Sequence, residues 1–232
     1  MDLDLISKNY AEFVELPRVD EVEMRVLTVK EQEQLENELA VSNEKLAFGV
    51  YLSLKLGIRL GEVLGLRWCD IDFNSGIVHI RRTVNRLEKL DGSGTELVVG
   101  TPKSKKSVRD IPISEGFWKK LLLYWAKQSR MMRKPPRNDD YLLCSSIGGP
   151  AEPKTMQETF KRILKVAGIA DANFHSLRHT FATRAIEKGA DVKTLSVLLG
   201  HSDVNITANT YAHTDLTEKQ AEVNAITSLL AI

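Results

Sequence analysis

The chain has 232 residues, 43% of them hydrophobic and 27% charged, with a formal net charge of +1. That length buries a substantial core in one large domain or two small ones, and no apolar run approaches the roughly 20 residues of a membrane-spanning helix. Cys69 and Cys144 are the only cysteines and sit in unrelated contexts, so they read as two reduced thiols in a cytoplasmic protein, not as a disulfide framework or a CxxC site.

Net charge names no partner, but its distribution is uneven. Residues 81–137 carry 15 basic and 5 acidic side chains, a local excess of +10. Such a segment is either a phosphate-binding face or the solvated surface of a hairpin and a helix.

Residues 1–27 open on the acidic MDLDLISKNY, which lacks the basic start and apolar stretch of a secretory signal. With Pro17, scattered acids and no sustained apolar period, they predict a linker, and residues 28–232 the domain itself. Thr28-Val29-Lys30-Glu31 has capping-box spacing and predicts a helix through about Leu39. Glu44 to Leu56 predicts a second helix, with Leu46, Val50 and Leu54 on one face and Phe48, Tyr51 and Leu52 widening it. Gly57 suits a left-handed cap. Arg59 then falls among Ile58, Val63, Leu64 and Leu66, at the mouth of a core, and a short helix carries Glu62 through Leu66. The pair reads either as a structural ion pair or as a phosphate-binding arginine oriented by a carboxylate.

Gly76 to Ile80 alternates as a strand does. The segment to Ile113 predicts a small antiparallel sheet, with a turn at Asp91–Glu96, strands at Leu97–Val99 and Val108–Ile113, and a basic turn from Thr101 to Ser107. Helices are expected from Glu115 to about Met131 and from Thr155 to Val166, the second capped near Gly168, with a basic loop at Arg133–Arg137 between them. Ser176 is the expected cap of a helix to Lys188, with His175 and Arg178 on one side of its first turn, where a helix N-terminus favours anions. Asp191 caps the next helix, Gly200 ends it, and His201 follows. A short helix from Asp203 through Ile206 precedes Tyr211, and Leu216 to Leu230 predicts a last helix.

His175-x-x-Arg178, then Leu199-Gly200-His201, then Tyr211 ten residues on, together with Gly57-Ile58-Arg59-Leu60-Gly61-Glu62 and Lys103 upstream, resemble the tyrosine recombinases, or phage-type integrases. The resemblance runs over roughly residues 24 to 225. It implies a mainly α catalytic domain with a small antiparallel β-sheet (α+β), acting on double-stranded DNA without cofactor or metal. It implies that Tyr211 attacks the phosphodiester to give a 3′-phosphotyrosine and a 5′-hydroxyl. Arg59 and Arg178 then clamp the transition state, Lys103 protonates the leaving oxygen, His175 moves the tyrosine proton and His201 donates to the phosphate. Glu62 and His179 are the expected supporting residues, and Arg81, Arg82, Lys105, Lys106 and Arg109 the expected DNA contacts. Taken singly, Tyr211 and His175 also read as ordinary structural residues, and His175-x-x-x-His179 as half a metal site without an HExxH glutamate.

The resemblance further implies a free monomer, a homotetramer on DNA that exchanges strands through a four-way junction, and accessory directionality proteins. Leu216 to Ile232 would dock on a neighbouring protomer, and residues 1–27 would be the end of a connection from a DNA-gripping domain. The rival readings are a type IB topoisomerase-like enzyme, a non-catalytic DNA-binding regulator and a metal-dependent nuclease.

Overall fold

A computed structural model describes residues 25–102, 107–201 and 203–211. It begins with α1 (Val29–Val41), which opens on the expected capping box: Glu31 N–H donates to Thr28 Oγ1 at 3.2 Å, and Thr28 N–H donates to Glu31 Oε2 at 2.9 Å. The α2 helix (Ala47–Leu56) is apolar nearly all round and forms the central rod of the core, with Val50, Leu52, Leu54 and Leu56 buried. It starts three residues later than expected. Glu44 is drawn off instead by Arg162, whose Nε and Nη2 reach its carboxylate at 2.7 and 2.9 Å.

The helix stops at Gly57, which holds φ +63° and donates its N–H to Ser53 O. The close packing there admits no side chain, because a Cβ would lie 2.5 Å from Phe181 Cδ1 and 2.8 Å from Leu199 Cδ2. The chain re-enters helix at once as α3 (Leu60–Gly65), then passes a short 3-10 turn at Trp68–Asp70.

Two sheets replace the single one expected. Strands β1 (Ile71–Asp72), β2 (Ile77–Ile80) and β5 (Arg109–Pro112) form an antiparallel sheet in the order β1-β2-β5, with Val78 opposite Ile111 and Ile80 opposite Arg109. Strands β3 (Thr83–Glu88) and β4 (Thr95–Gly100) pair separately as a hairpin. Its base packs through Val84, 1% exposed, while the turn carries Leu90 wholly in solvent. The hairpin is anchored sideways where Arg86 Nε and Nη2 bond Glu152, each at 2.6 Å. The strand β3 lacks strict alternation, which is why sequence reading missed it.

Helices α4 (Glu115–Met132), α5 (Pro153–Val166), α6 (Ser176–Glu187), α7 (Val192–Leu199) and α8 (Val204–Tyr211) complete the described chain. A large core runs from Leu27 through α2, α3, β2, α4 and α5 to Leu177, and a smaller one joins Ala182 on α6 to Leu195 and Leu199 on α7. The expected linker boundary shifts at its edge. Leu27 is fully buried, its N–H donates to Thr180 Oγ1 at 3.0 Å, and its carbonyl accepts from Arg184 Nη2 at 2.7 Å. Residues 25–27 therefore belong to the packed unit; residues 1–24 and the expected helix at Leu216–Leu230 lie outside the described residues.

Candidate active site

Four segments distant in sequence meet at one edge of this core. The first is the turn between α2 and α3. Arg59 is the residue before α3, and its guanidinium leaves the turn half exposed. Its Nη1 donates to Glu62 Oε1 at 2.9 Å, and its Nη2 donates to Gly200 O at 3.2 Å. Glu62 turns back on the same residue, accepting from Arg59 N–H at 2.9 Å.

The second segment is the start of α6. Ser176 is its first residue, and the expected cap is replaced: Asn173 Oδ1 accepts from Ser176 N–H at 3.0 Å and from its hydroxyl at 3.2 Å. An asparagine three residues ahead of a helix start is itself a turn signal. His175 adopts helical dihedrals there, and Arg178 one turn on is buried, with Nη1 donating to Gly57 O at 2.8 Å. The carbonyl of the left-handed cap of α2 thus holds the second arginine near the first. A cleft of about 180 Å³ opens between Arg59, Asn173, His175 and Arg178.

The third segment is the end of α7, where Gly200 takes φ +69° as expected. His201 follows, half-buried, its Nδ1 2.7 Å from Thr207 Oγ1 on α8. Thr207 is fully buried and lies one turn before Tyr211. The helix expected to stop at Ile206 continues to Tyr211, so the tyrosine ends α8 instead of lying beyond it; only its backbone is described.

The fourth segment is β5, and it corrects an expectation. Arg109, expected among the DNA contacts, is 7% exposed and folded beneath the site. Its Nη1 and Nη2 reach Glu62 Oε1 and Oε2 at 3.1 and 2.9 Å, and its Nε donates to Leu198 O. A guanidinium consumed in this way presents no face to a DNA backbone. Arg82 is also engaged, its Nη1 lying 2.8 and 2.6 Å from the two oxygens of buried Asp70, while Arg81 is open to solvent. Lys103, Lys105 and Lys106 lie outside the described residues.

Electrostatics follow from this crowding of cations. Burial pushes His175 down to about 4, helped by His179, Arg178 and Arg59. His201 is likewise pushed down to about 4 by burial and by Arg178, Arg59 and Arg109. Burial also lowers His179, with Arg178 beside it. The rings of His175 and His179 meet edge to face with centroids 4.7 Å apart, and among the described residues no group of three His, Cys, Asp or Glu side chains gathers there. For Glu62, burial pulls the carboxyl up, but the hydrogen bond and charge of Arg109, and then Arg59, hold it below its ordinary value. The cluster is therefore cationic at its arginines and neutral at its imidazoles near pH 7.

The sequence model of the phage integrase family matches residues 25–218.

The chain belongs to that family. Among its integrase relatives, a tyrosine recombinase XerC-like protein of Caldanaerobacter subterraneus subsp. tengcongensis is 31% identical over 219 residues, covering 90% of this chain and 56% of that protein. The transposase of transposon Tn916 from Enterococcus faecalis is 27% identical, covering 96% of this chain and again 56% of the relative. The chain thus spans about half the length of these curated relatives. Among solved structures, the Tn1549 transposon integrase in complex with transposon right-end DNA superposes with a TM-score of 0.72 at 22% identity, covering 95% of this chain and 71% of that one. The XerA recombinase superposes with a TM-score of 0.63 at 22% identity, covering 90% and 66%. The integrase fold is therefore that of a mainly helical catalytic domain with small antiparallel sheets.

Proposed function

We propose that this chain is the catalytic part of a site-specific DNA recombinase. Tyr211 Oη attacks a backbone phosphorus, the bond from phosphorus to the 5′-oxygen breaks, and a 3′-phosphotyrosine and a free 5′-hydroxyl result. His175 takes the tyrosine proton, and Lys103 gives one to the departing 5′-oxygen. Arg59 and Arg178 stabilise the equatorial oxygens, and His201 donates to one of them through Nε2, its other nitrogen being held by Thr207. Attack by a 5′-hydroxyl of a second duplex reverses each bond change and rejoins DNA, so the step consumes no ATP and uses no metal. Exchange of two duplexes then requires four protomers and a four-way junction.

One observation carries this reading. Arg59, His175 and Arg178 line one cleft with His201 beside it, and the helix packed on His201 ends at Tyr211. The neutral histidines fit it. An imidazole that stays unprotonated at neutral pH accepts the proton of a tyrosine, whose reference pKa is about 10, only once an anion sits among the arginines and favours its charged form. The phosphate supplies that anion, so base and substrate arrive together.

The test is covalent trapping on DNA nicked so that the cleaved piece diffuses away, with chelator present and Tyr211→Phe alongside. A denaturation-resistant adduct that requires Tyr211 is the expected result. Bound DNA without adduct would favour a DNA-binding regulator or a fragment that cannot assemble, and a longer chain put through the same test decides between those two. Transfer between two labelled duplexes, as opposed to rejoining of one strand, separates recombination from topoisomerase-like action.

A further inference from the structure

We propose that Arg109 is a positioning residue, a buried strut that ties the carboxylate of Glu62 to the last turn of α7 and thereby sets Arg59 and His201 relative to each other without touching the phosphate. The proposal rests on the recombinase reading for what the strut serves, and on geometry for its existence.

Four hydrogen bonds leave the Arg109 guanidinium. Two reach the separate oxygens of Glu62, one reaches Leu198 O on α7, and one reaches Ser107 O at 3.0 Å, two residues back along the chain and just ahead of β5. Glu62 is equally committed. Each of its oxygens accepts once from Arg109 and once from Arg59, through Nη1 on one oxygen and the backbone N–H on the other. Arg59 then reaches across to the carbonyls of Leu199 and Gly200 at 3.5 and 3.2 Å. Three consecutive carbonyls, 198 to 200, are therefore gripped by two guanidinium groups that share one carboxylate. His201 is the next residue in the chain, so its position is fixed by this grip.

Shape supports the same conclusion. A Cβ at Gly200 would lie 2.9 Å from Arg109 Nη1 and 3.1 Å from its Cδ, so the α7 cap rests directly on the strut. Only the planar fork of arginine spans both carboxylate oxygens while a third N–H points elsewhere. The carboxylate also depends on it. Both Arg109 and Glu62 side chains are 3% exposed, and a buried carboxylate without its partner takes up a proton sooner than stay charged. Losing Arg109 thus weakens the hold of Glu62 on Arg59 as well.

The test compares Arg109→Lys, Arg109→Gln, Glu62→Gln and the double variant. In DNA-free protein, urea unfolding gives a double-mutant cycle. The strut predicts that the double variant loses much less stability than the sum of the singles, because each single already breaks the shared contact; additivity overturns it. On DNA, Arg109→Lys keeps the charge and loses the fork. Its adduct forms more slowly by on the order of 10- to 100-fold, as expected when reacting groups are misplaced by about an ångström. Its DNA affinity keeps the wild-type salt dependence. Adduct formation at the wild-type rate per folded molecule overturns the strut, and so does a salt slope reduced by about one, the mark of a lost phosphate contact. If Arg109→Gln does not fold, Arg109→Lys with Glu62→Gln still decides. If wild-type protein forms no adduct, the recombinase reading falls, and the DNA-free cycle alone judges the strut.

Discussion

The described arginines of the candidate site and Glu62 are held by bonds within the chain itself. Glu62 is a carboxylate set between two arginines, its side chain 3% exposed, with both oxygens accepting from each of them. Glu62→Gln leaves both guanidinium groups without their counter-charge, and breaking a buried pair from one side costs about 3 kcal/mol or more. Equilibrium unfolding in urea is expected to register that loss, with the slope unchanged. The histidines make a pH prediction. Both His175 and His201 have folded values of about 4 against an ordinary 6.5. The unfolded chain therefore takes up protons between pH 6.5 and 4 while the folded chain does not, so stability rises with pH across that window and is flat above it. Their imidazole proton resonances are expected to titrate near 4 without DNA and at higher pH with DNA bound, since a phosphate opposes the effect of the arginines. Midpoints that ignore DNA would contradict a phosphate seated in the cleft.

At the scale of elements, the site is a junction of helix ends. The closes of α2 and α7 leave backbone carbonyls without helical partners, and the arginines use them: Arg178 donates to Gly57 O and Arg59 to Gly200 O, while the start of α6 is capped by Asn173. Gly57→Ala should therefore injure both packing and site. Positive φ and a Cβ 2.5 Å from Phe181 Cδ1 together predict a loss of about 2 kcal/mol or more in thermal or urea unfolding. Thr207→Val is a gentler lesion that removes only the hydroxyl joining His201 to α8. It is expected to cost about 1 kcal/mol of stability but to slow adduct formation about tenfold, with Thr207→Ser restoring the rate; equal rates in all three proteins would show that α8 needs no such tie. These junctions also show what was legible in the sequence. Capping boxes and terminal glycines are local codes, so Thr28, Gly57, Asp191 and Gly200 were all placed correctly from spacing. The bond of Arg109 to Glu62 spans 47 residues and has no local code. Within a run of 15 basic side chains its charge suggested DNA contact, whereas burial makes it internal.

At the scale of the whole molecule, the chain carries its basic excess between residues 81 and 137, with Arg81 open to solvent and Arg82 partly consumed by Asp70. DNA affinity is expected to fall steeply with salt, and Arg81→Ala to lower the slope of log affinity against log salt by about one if it meets a phosphate; an unchanged slope would place that residue off the DNA. The mixed legibility of the fold has a similar origin. Amphipathic periods gave the helices, but whether β3 and β4 join the sheet of β2 and β5 is decided by how the chain turns at Arg81–Arg82, a matter of long-range packing. Among the described residues the tip of the β3–β4 hairpin is open: Leu90 is wholly in solvent, and a Cβ at Gly92 or Gly94 would meet nothing within 4 Å. That tip divides the candidate site unequally, with Arg59 and Glu62 before it and Arg109, His175, Arg178, His201 and Tyr211 after it. A chain cut between Gly92 and Ser93 would therefore yield two pieces, neither holding a complete site, whose β3 and β4 edges are complementary. Co-expressed, the halves are expected to reassemble along those edges, and under the proposed function a Tyr211-dependent adduct on DNA would report their meeting.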